Sequence, residues 1–181
     1  MTISNTNGGP PIEHATREDL DAIAALNRSA YEEFSHHMTT DGWSSMKGAV
    51  ESVETRFDTA RFLLIRGANT LLGSVAYCPA GKGNPAIFPA DWAAVLLLAV
   101  APEGRGHGIG RRLTSACIDL ARRDGAAVIG LFTSELMTQA QRLYESLGFV
   151  RESELPPRNG LRYFRYRLSL NPIAGLEETG Q

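Results

Sequence analysis

Four glycines alternate through Gly104, Gly106, Gly108 and Gly110, with Arg105, His107 and Ile109 between them and Arg111 and Arg112 directly after. Residues without a Cβ let an anion come close to the backbone and tolerate the positive φ that such loops need. The apolar run VLLLAV at 95–100 leads into this loop, and a helical pattern starts at Ile109. A loop of exposed N–H groups at the positive end of a helix is a seat for phosphate oxygens. A tight strand-to-helix turn without a ligand is the alternative. The dinucleotide pattern G-x-G-x-x-G is not matched cleanly. No acidic residue closes a second strand about 20 residues on, where Ala127–Leu131 is apolar or Gly. A Walker loop is excluded because no Gly-Lys-Ser/Thr is present.

Other reactive side chains are scattered. His36 and His37 are adjacent, which suits a polar loop better than a metal, and no further His or Cys cluster supports one. Cys78 and Cys117 fit no metal or redox spacing and read as reduced packing thiols. No metal is expected.

The elements that must position the loop can be read from periodicity. Residues 1–10 are expected to be a disordered lead-in and 171–181 a tail, with one domain over 11–170. Pro11–Ala15 suits a short strand. Thr16 to Asp19 resembles a capping box, and a helix is expected over about 17–34, then a polar break and a second helix over about 43–57. Arg61–Arg66 and Leu71–Cys78 read as a hairpin. Pro79–Asp91 is a long loop. Trp92–Ala101 is apolar throughout, as a central strand covered on both faces would be. Ile109, Leu113, Ala116, Cys117, Leu120 and Ala121 share a helical face that stops near Asp124-Gly125. Ala126–Phe132 is a second buried strand, so a parallel βαβ unit is expected. Leu136 to Leu147 forms a further helix, closed by Gly148. An extended stretch over Phe149–Glu154, a turn over Pro156–Gly160 and a half-buried last strand around Phe164–Leu170 complete the chain.

The 181 residues suffice for a core, with 43% hydrophobic and 21% charged residues. A net charge of −2 does not indicate a nucleic-acid partner or an anionic membrane surface. No apolar run reaches the roughly 18 residues a membrane helix needs. The opening MTISNTNGGPP lacks the basic and apolar regions of a secretory leader. A cytoplasmic location is expected.

Two stretches are more specific than composition. Leu98-Ala99-Val100-Ala101-Pro102-Glu103 followed by the R-G-x-G-I-G of Arg105–Gly110 resembles motif A of the GCN5-related N-acetyltransferase (GNAT) superfamily. TQAQRLYESLGF, Thr138 to Phe149, is similar to that superfamily's A-x-x-L-Y-x-x-x-G-F signature, in the same order. The resemblance spans about residues 12–170 in element order and is residue-specific over 95–150.

The resemblance implies an α/β (α+β) GNAT-like fold: a mixed, mostly antiparallel sheet flanked by helices, with a central parallel pair splayed at the CoA site. It implies acetyl-CoA as co-substrate and direct transfer to an amine, on a small molecule or a peptide. Leu98, Ala99 and Val100 would flank the acetyl and pantetheine groups, and backbone N–H groups there would polarise the thioester. Arg105, Gly106, His107, Gly108, Ile109 and Gly110 would hold the pyrophosphate, with Arg111 and Arg112 within reach. Tyr144 would protonate the departing thiolate; a core tyrosine is the alternative on spacing alone. Many relatives carry Asn where this chain has Met137, and Thr138 or Ser134 are the candidate replacements. The general base is unmarked: Glu32, Glu33, His36, His37, Asp91 or a water relay. The acceptor pocket is expected from residues 31–45, the 79–91 loop and the Pro156–Gly160 turn, with Tyr31, Phe34, Trp43 and Phe88 as aromatic candidates. Homodimers are common in the superfamily. Two rival readings are a non-catalytic acyl-CoA-sensing module and a Rossmann-type nucleotide-binding domain.

Overall fold

A computed structural model describes residues 2–3 and 9–170. The strands are β1 (Thr2–Ile3), β2 (Ile12–His14), β3 (Arg61–Arg66), β4 (Leu71–Cys78), β5 (Trp92–Val100), β6 (Val128–Ser134), β7 (Val150–Arg158) and β8 (Leu161–Ser169). The helices are α1 (Leu20–Glu32), α2 (Thr40–Glu51), α3 (Glu54–Phe57), α4 (Ile109–Arg123) and α5 (Thr138–Ser146). One sheet runs in the order β1-β2-β3-β4-β5-β6-β8-β7. Every pairing is antiparallel except β5 with β6.

Strand β3 shows why both faces are apolar. Its interior residues are all buried, and they alternate between two cores. Leu63 and Ile65 pack with Leu113 and Cys117 of α4. Phe62 and Leu64 pack with Ile23 of α1 and Met46 and Val50 of α2. Helices therefore cover each face of the sheet, and an unbroken apolar strand is what such a sheet requires.

The helix ends follow local chemistry. Thr16 N–H donates to Asp19 Oδ2 at 2.8 Å, which closes the expected capping box. The box opens a 3-10 turn, Arg17–Asp19, that leads into α1. The second helix starts earlier than expected, because Thr39 Oγ1 accepts from Gly42 N–H at 3.1 Å and caps it. What reads as a polar break is in part that cap and the first turn behind it. Ser52 and Val53 then divide the expected single helix into α2 and α3. Gly125 and Gly148, at φ 75° and 91°, follow α4 and α5 in the left-handed conformation that ends helices.

Two further expectations change. The Pro156–Gly160 turn shrinks to Asn159 and Gly160, since β7 continues through both prolines to Arg158. A register shift between Leu155 and Arg158 accommodates the prolines, and β7 lies at the sheet edge, where a missing N–H is tolerated. At the other end, Thr2 and Ile3 pair with Glu13 and Ile12 rather than being disordered. The rest of that lead-in, residues 1 and 4–8, and the tail 171–181 lie outside the described residues. Among the described residues no helix is long and apolar enough to cross a membrane.

Candidate functional site

Strands β5 and β6 pair only over Trp92–Ala94 and Val128–Gly130. Beyond that point they part. The cause on the β5 side is a bulge: Ser74 faces Ala99 and Ala76 faces Leu96, so Leu97 and Leu98 stand opposite Val75 alone. Leu97 sits at φ 52°, in a region that costs a non-glycine residue about 1 kcal/mol or more. A bulge leaves backbone groups out of the ladder and turns the strand. Leu96, Leu97 and Leu98 are only half-buried as a result.

A cleft of about 1060 Å³ opens at this split. Leu98, Ala99 and Val100 line it, as do Arg105, Gly106, Gly108, Ile109, Gly110 and Tyr144. His107 does not; its ring Nδ1 lies 2.9 Å from the carbonyl oxygen of Arg105. Gly106 and Gly108 sit at φ 77° and 72°, and a Cβ on either would meet no atom within 4 Å. They are needed for their backbone conformation, whereas Gly104 and Gly110 lie close against neighbouring side chains.

The first α-helical bond of α4 runs from Arg112 N–H to Gly108 O at 3.0 Å. The backbone N–H groups of residues 106–111 lie ahead of that bond, in the glycine loop and the first turn of the helix. Together with the helix dipole, they favour a polyanion at the loop. Arg111 lines the cleft, and its guanidinium donates to Ser146 Oγ at 2.7 Å. Arg112 is turned away and donates to the carbonyl oxygen of Pro10.

Tyr144 is 6% exposed and meets Phe149 edge-on at 6.0 Å between ring centroids. Burial pushes its phenol well above the usual value, with Tyr31 and Cys117 adding to the effect. It stays protonated at neutral pH. Tyr31, also on the cleft wall, is raised by burial to about 12.

The position of Met137 is instructive. Met137 and Thr138 line the cleft at the start of α5, whereas Ser134 does not. Thr133, one residue earlier on β6, lines it with a buried hydroxyl that has no hydrogen-bond partner among the described residues. Sequence reasoning missed Thr133; the signal was a pair of hydroxyl residues ending an apolar strand.

Of the five candidate bases, Glu33 alone lies in the cleft wall. Both its carboxylate oxygens accept from Arg105, at 3.1 and 3.0 Å. This pair ties the end of α1 to the glycine loop. Glu32, His36, His37 and Asp91 are not brought to the cleft.

The cleft continues past the split, under α2. Tyr31 and Phe34, an edge-on pair at 6.5 Å, and Phe88 line that part, as do Lys82 to Asn84 of the long loop and Arg158 and Asn159 of the turn. Trp43 packs into the core beside it and does not line the cleft. Among the described residues no group of three or more His, Cys, Asp or Glu side chains could hold a metal.

The arrangement offers an anion seat, a split strand pair and a buried phenol along one wall. A profile of the acetyltransferase (GNAT) family matches residues 20–149. Mycothiol acetyltransferase of Thermobispora bispora is 36% identical over 133 residues, 74% of this chain and 43% of that protein. The chain thus spans less than half the length of this curated relative. Among solved structures, a ribosomal-protein-alanine N-acetyltransferase from Brucella melitensis superposes with a TM-score of 0.66 at 24% identity, covering 88% of this chain and 99% of that one. A PaiA N-acetyltransferase from Thermoplasma acidophilum, solved in complex with coenzyme A, gives 0.66 at 18%, covering 85% and 96%. At these identities the two structures speak for the fold.

Proposed function

Given that the chain belongs to the acetyltransferase (GNAT) family, we propose that it moves the acetyl group of acetyl-CoA onto a primary amine held in the same cleft. The observation that carries this reading is the split between β5 and β6. It opens at the Leu97–Leu98 bulge, with the N–H groups of the glycine loop and of the first turn of α4 at one end of the cleft and Tyr144 in its wall.

The residues fit the donor. The N–H groups of residues 106–111 would bind the pyrophosphate, assisted by Arg111. The Thr133 hydroxyl, without a partner among the described residues, would meet an amide of the pantetheine arm, the contact that Met137 cannot make. Backbone N–H groups at Leu98–Val100, close to the bulge, would polarise the thioester carbonyl.

Tyr144 would give its proton to the sulfur as the C–S bond breaks. The burial that raises its phenol also raises the pKa of a thiolate in the same pocket, so transfer remains feasible. Glu33 is engaged by Arg105, and the other base candidates lie off the cleft. The proton that the acceptor ammonium must lose to become the attacking neutral amine would therefore leave through a water relay.

The alternative of a sensing module shares the donor site but predicts no turnover. Titration of acetyl-CoA by calorimetry, followed by thiol release across an amine panel, separates the two. Binding with turnover supports transfer. Binding without turnover favours the sensing module, and binding of NAD in place of acetyl-CoA favours a nucleotide-binding domain.

A further inference from the structure

The acceptor half of the cleft carries a charge pattern that donor binding leaves unexplained. Arg56, Lys82 and Arg158 stand in the wall, well apart in sequence from the glycine loop. The wall's one carboxylate, Glu33, belongs to Arg105. Arg56 donates through Nη1 to Ser52 Oγ at 3.2 Å and to the carbonyl of Ser52 at 3.4 Å, so its guanidinium is fixed at the end of α2. It meets no acid there. Lys82 and Arg158 form no ion pair with any described residue. The same wall carries apolar Met46, Val50, Ile87 and Phe88 and polar Ser45, Thr59 and Asn84.

Such a wall disfavours an acceptor that brings only positive charge. Cations left without acids beside a cleft favour an anion, and charge-assisted contacts are the stronger hydrogen bonds. Sheet register sets the scale. Arg56, Cys78 and Lys82 all line the cleft, and Cys78 pairs with Ala94. Ala94 precedes Leu97 of the bulge by three residues, about 10 Å of extended strand.

On the acetyl transfer proposed above, we propose that the acceptor carries a carboxylate or a phosphate several bonds from its amine. The anion rests against Arg56 and Lys82, with Arg158 at the facing rim, while the amine reaches the split.

The test is thiol release from acetyl-CoA with matched acceptors. Di- and triglycine are compared with their C-terminal amides, and an amino-sugar phosphate with the parent amino sugar; the two arms distinguish carboxylate from phosphate. In at least one arm the anionic member should exceed its neutral partner about tenfold or more in kcat/KM. In Lys82→Gln and Arg158→Gln the KM for that member should rise and the gap should narrow to less than about threefold. Arg56 is left intact because it also closes α2, and circular dichroism checks that both variants fold. Equal rates within both pairs, or a gap unchanged in both variants, would overturn the inference and leave acetyl transfer standing. Absence of turnover on every amine would remove acetyl transfer and this inference with it.

Discussion

Tyr144 carries the sharpest expectation at the scale of single residues. Tyr144→Phe keeps the ring against Phe149 and removes only the hydroxyl. Turnover should fall about 100-fold, the usual worth of a positioned acid, while acetyl-CoA affinity stays within about twofold in a binding titration. Because burial raises the phenol, it remains a proton donor across the alkaline range. The pH–rate profile should climb as the amine deprotonates, with no descending limb below about pH 10 in the parent. A limb near pH 8 that vanishes in the Phe variant would contradict this. Some residues were legible and others were not, for a physical reason. Tyr144 and the glycines sit in short patterns whose spacing is local. The bulge at Leu97 was hidden, because three successive leucines look alike until β4 sets the register. The Glu33–Arg105 pair joins residues 72 apart in sequence, and only the fold brings them together.

Among the elements, the loop into α4 and the entry to α1 make different demands. Gly108 needs its positive φ and has free space around it, so Gly108→Ala should strain the backbone without a clash. A stability loss of about 1 kcal/mol is expected in urea unfolding. Acetyl-CoA binding should weaken about tenfold, because the same backbone aims the N–H groups. At α1, Asp19 accepts from Thr16 N–H at 2.8 Å and from Arg66 Nη2 at 2.6 Å. Burial alone would raise its pKa, but those two partners outweigh it and hold the carboxyl below its usual range. The stabilisation is therefore fully present above the unfolded value near 3.9 and is lost as pH falls through the lower folded value. Asp19→Asn should cost about 1 kcal/mol at pH 7, and the gap from the parent should close toward pH 3. A gap independent of pH would mean that the charge plays no part. The capping box itself was readable from Thr16 and Asp19, whereas Arg66 as third partner was not, since it arrives from β3.

For the molecule as a whole, apolar patterning made the helix-covered sheet and its parallel centre readable, and it failed at the rims. Proline suggested a turn where β7 in fact continues, because an edge strand can omit its outward donors. That outer strand has a bearing on self-association. Strand addition needs a row of N–H and C=O groups facing outward, and the adjacent Pro156 and Pro157 interrupt that row while Arg151, Glu152, Glu154 and Arg158 place charge along β7. Replacing both prolines with valine should raise the apparent mass or turbidity with concentration, as followed by light scattering. Unchanged scattering would assign the protection to the charges. Two copies that pair as a dimer would then meet away from β7, since this border is built to refuse another strand, and with it the open-ended stacking that leads to fibrils.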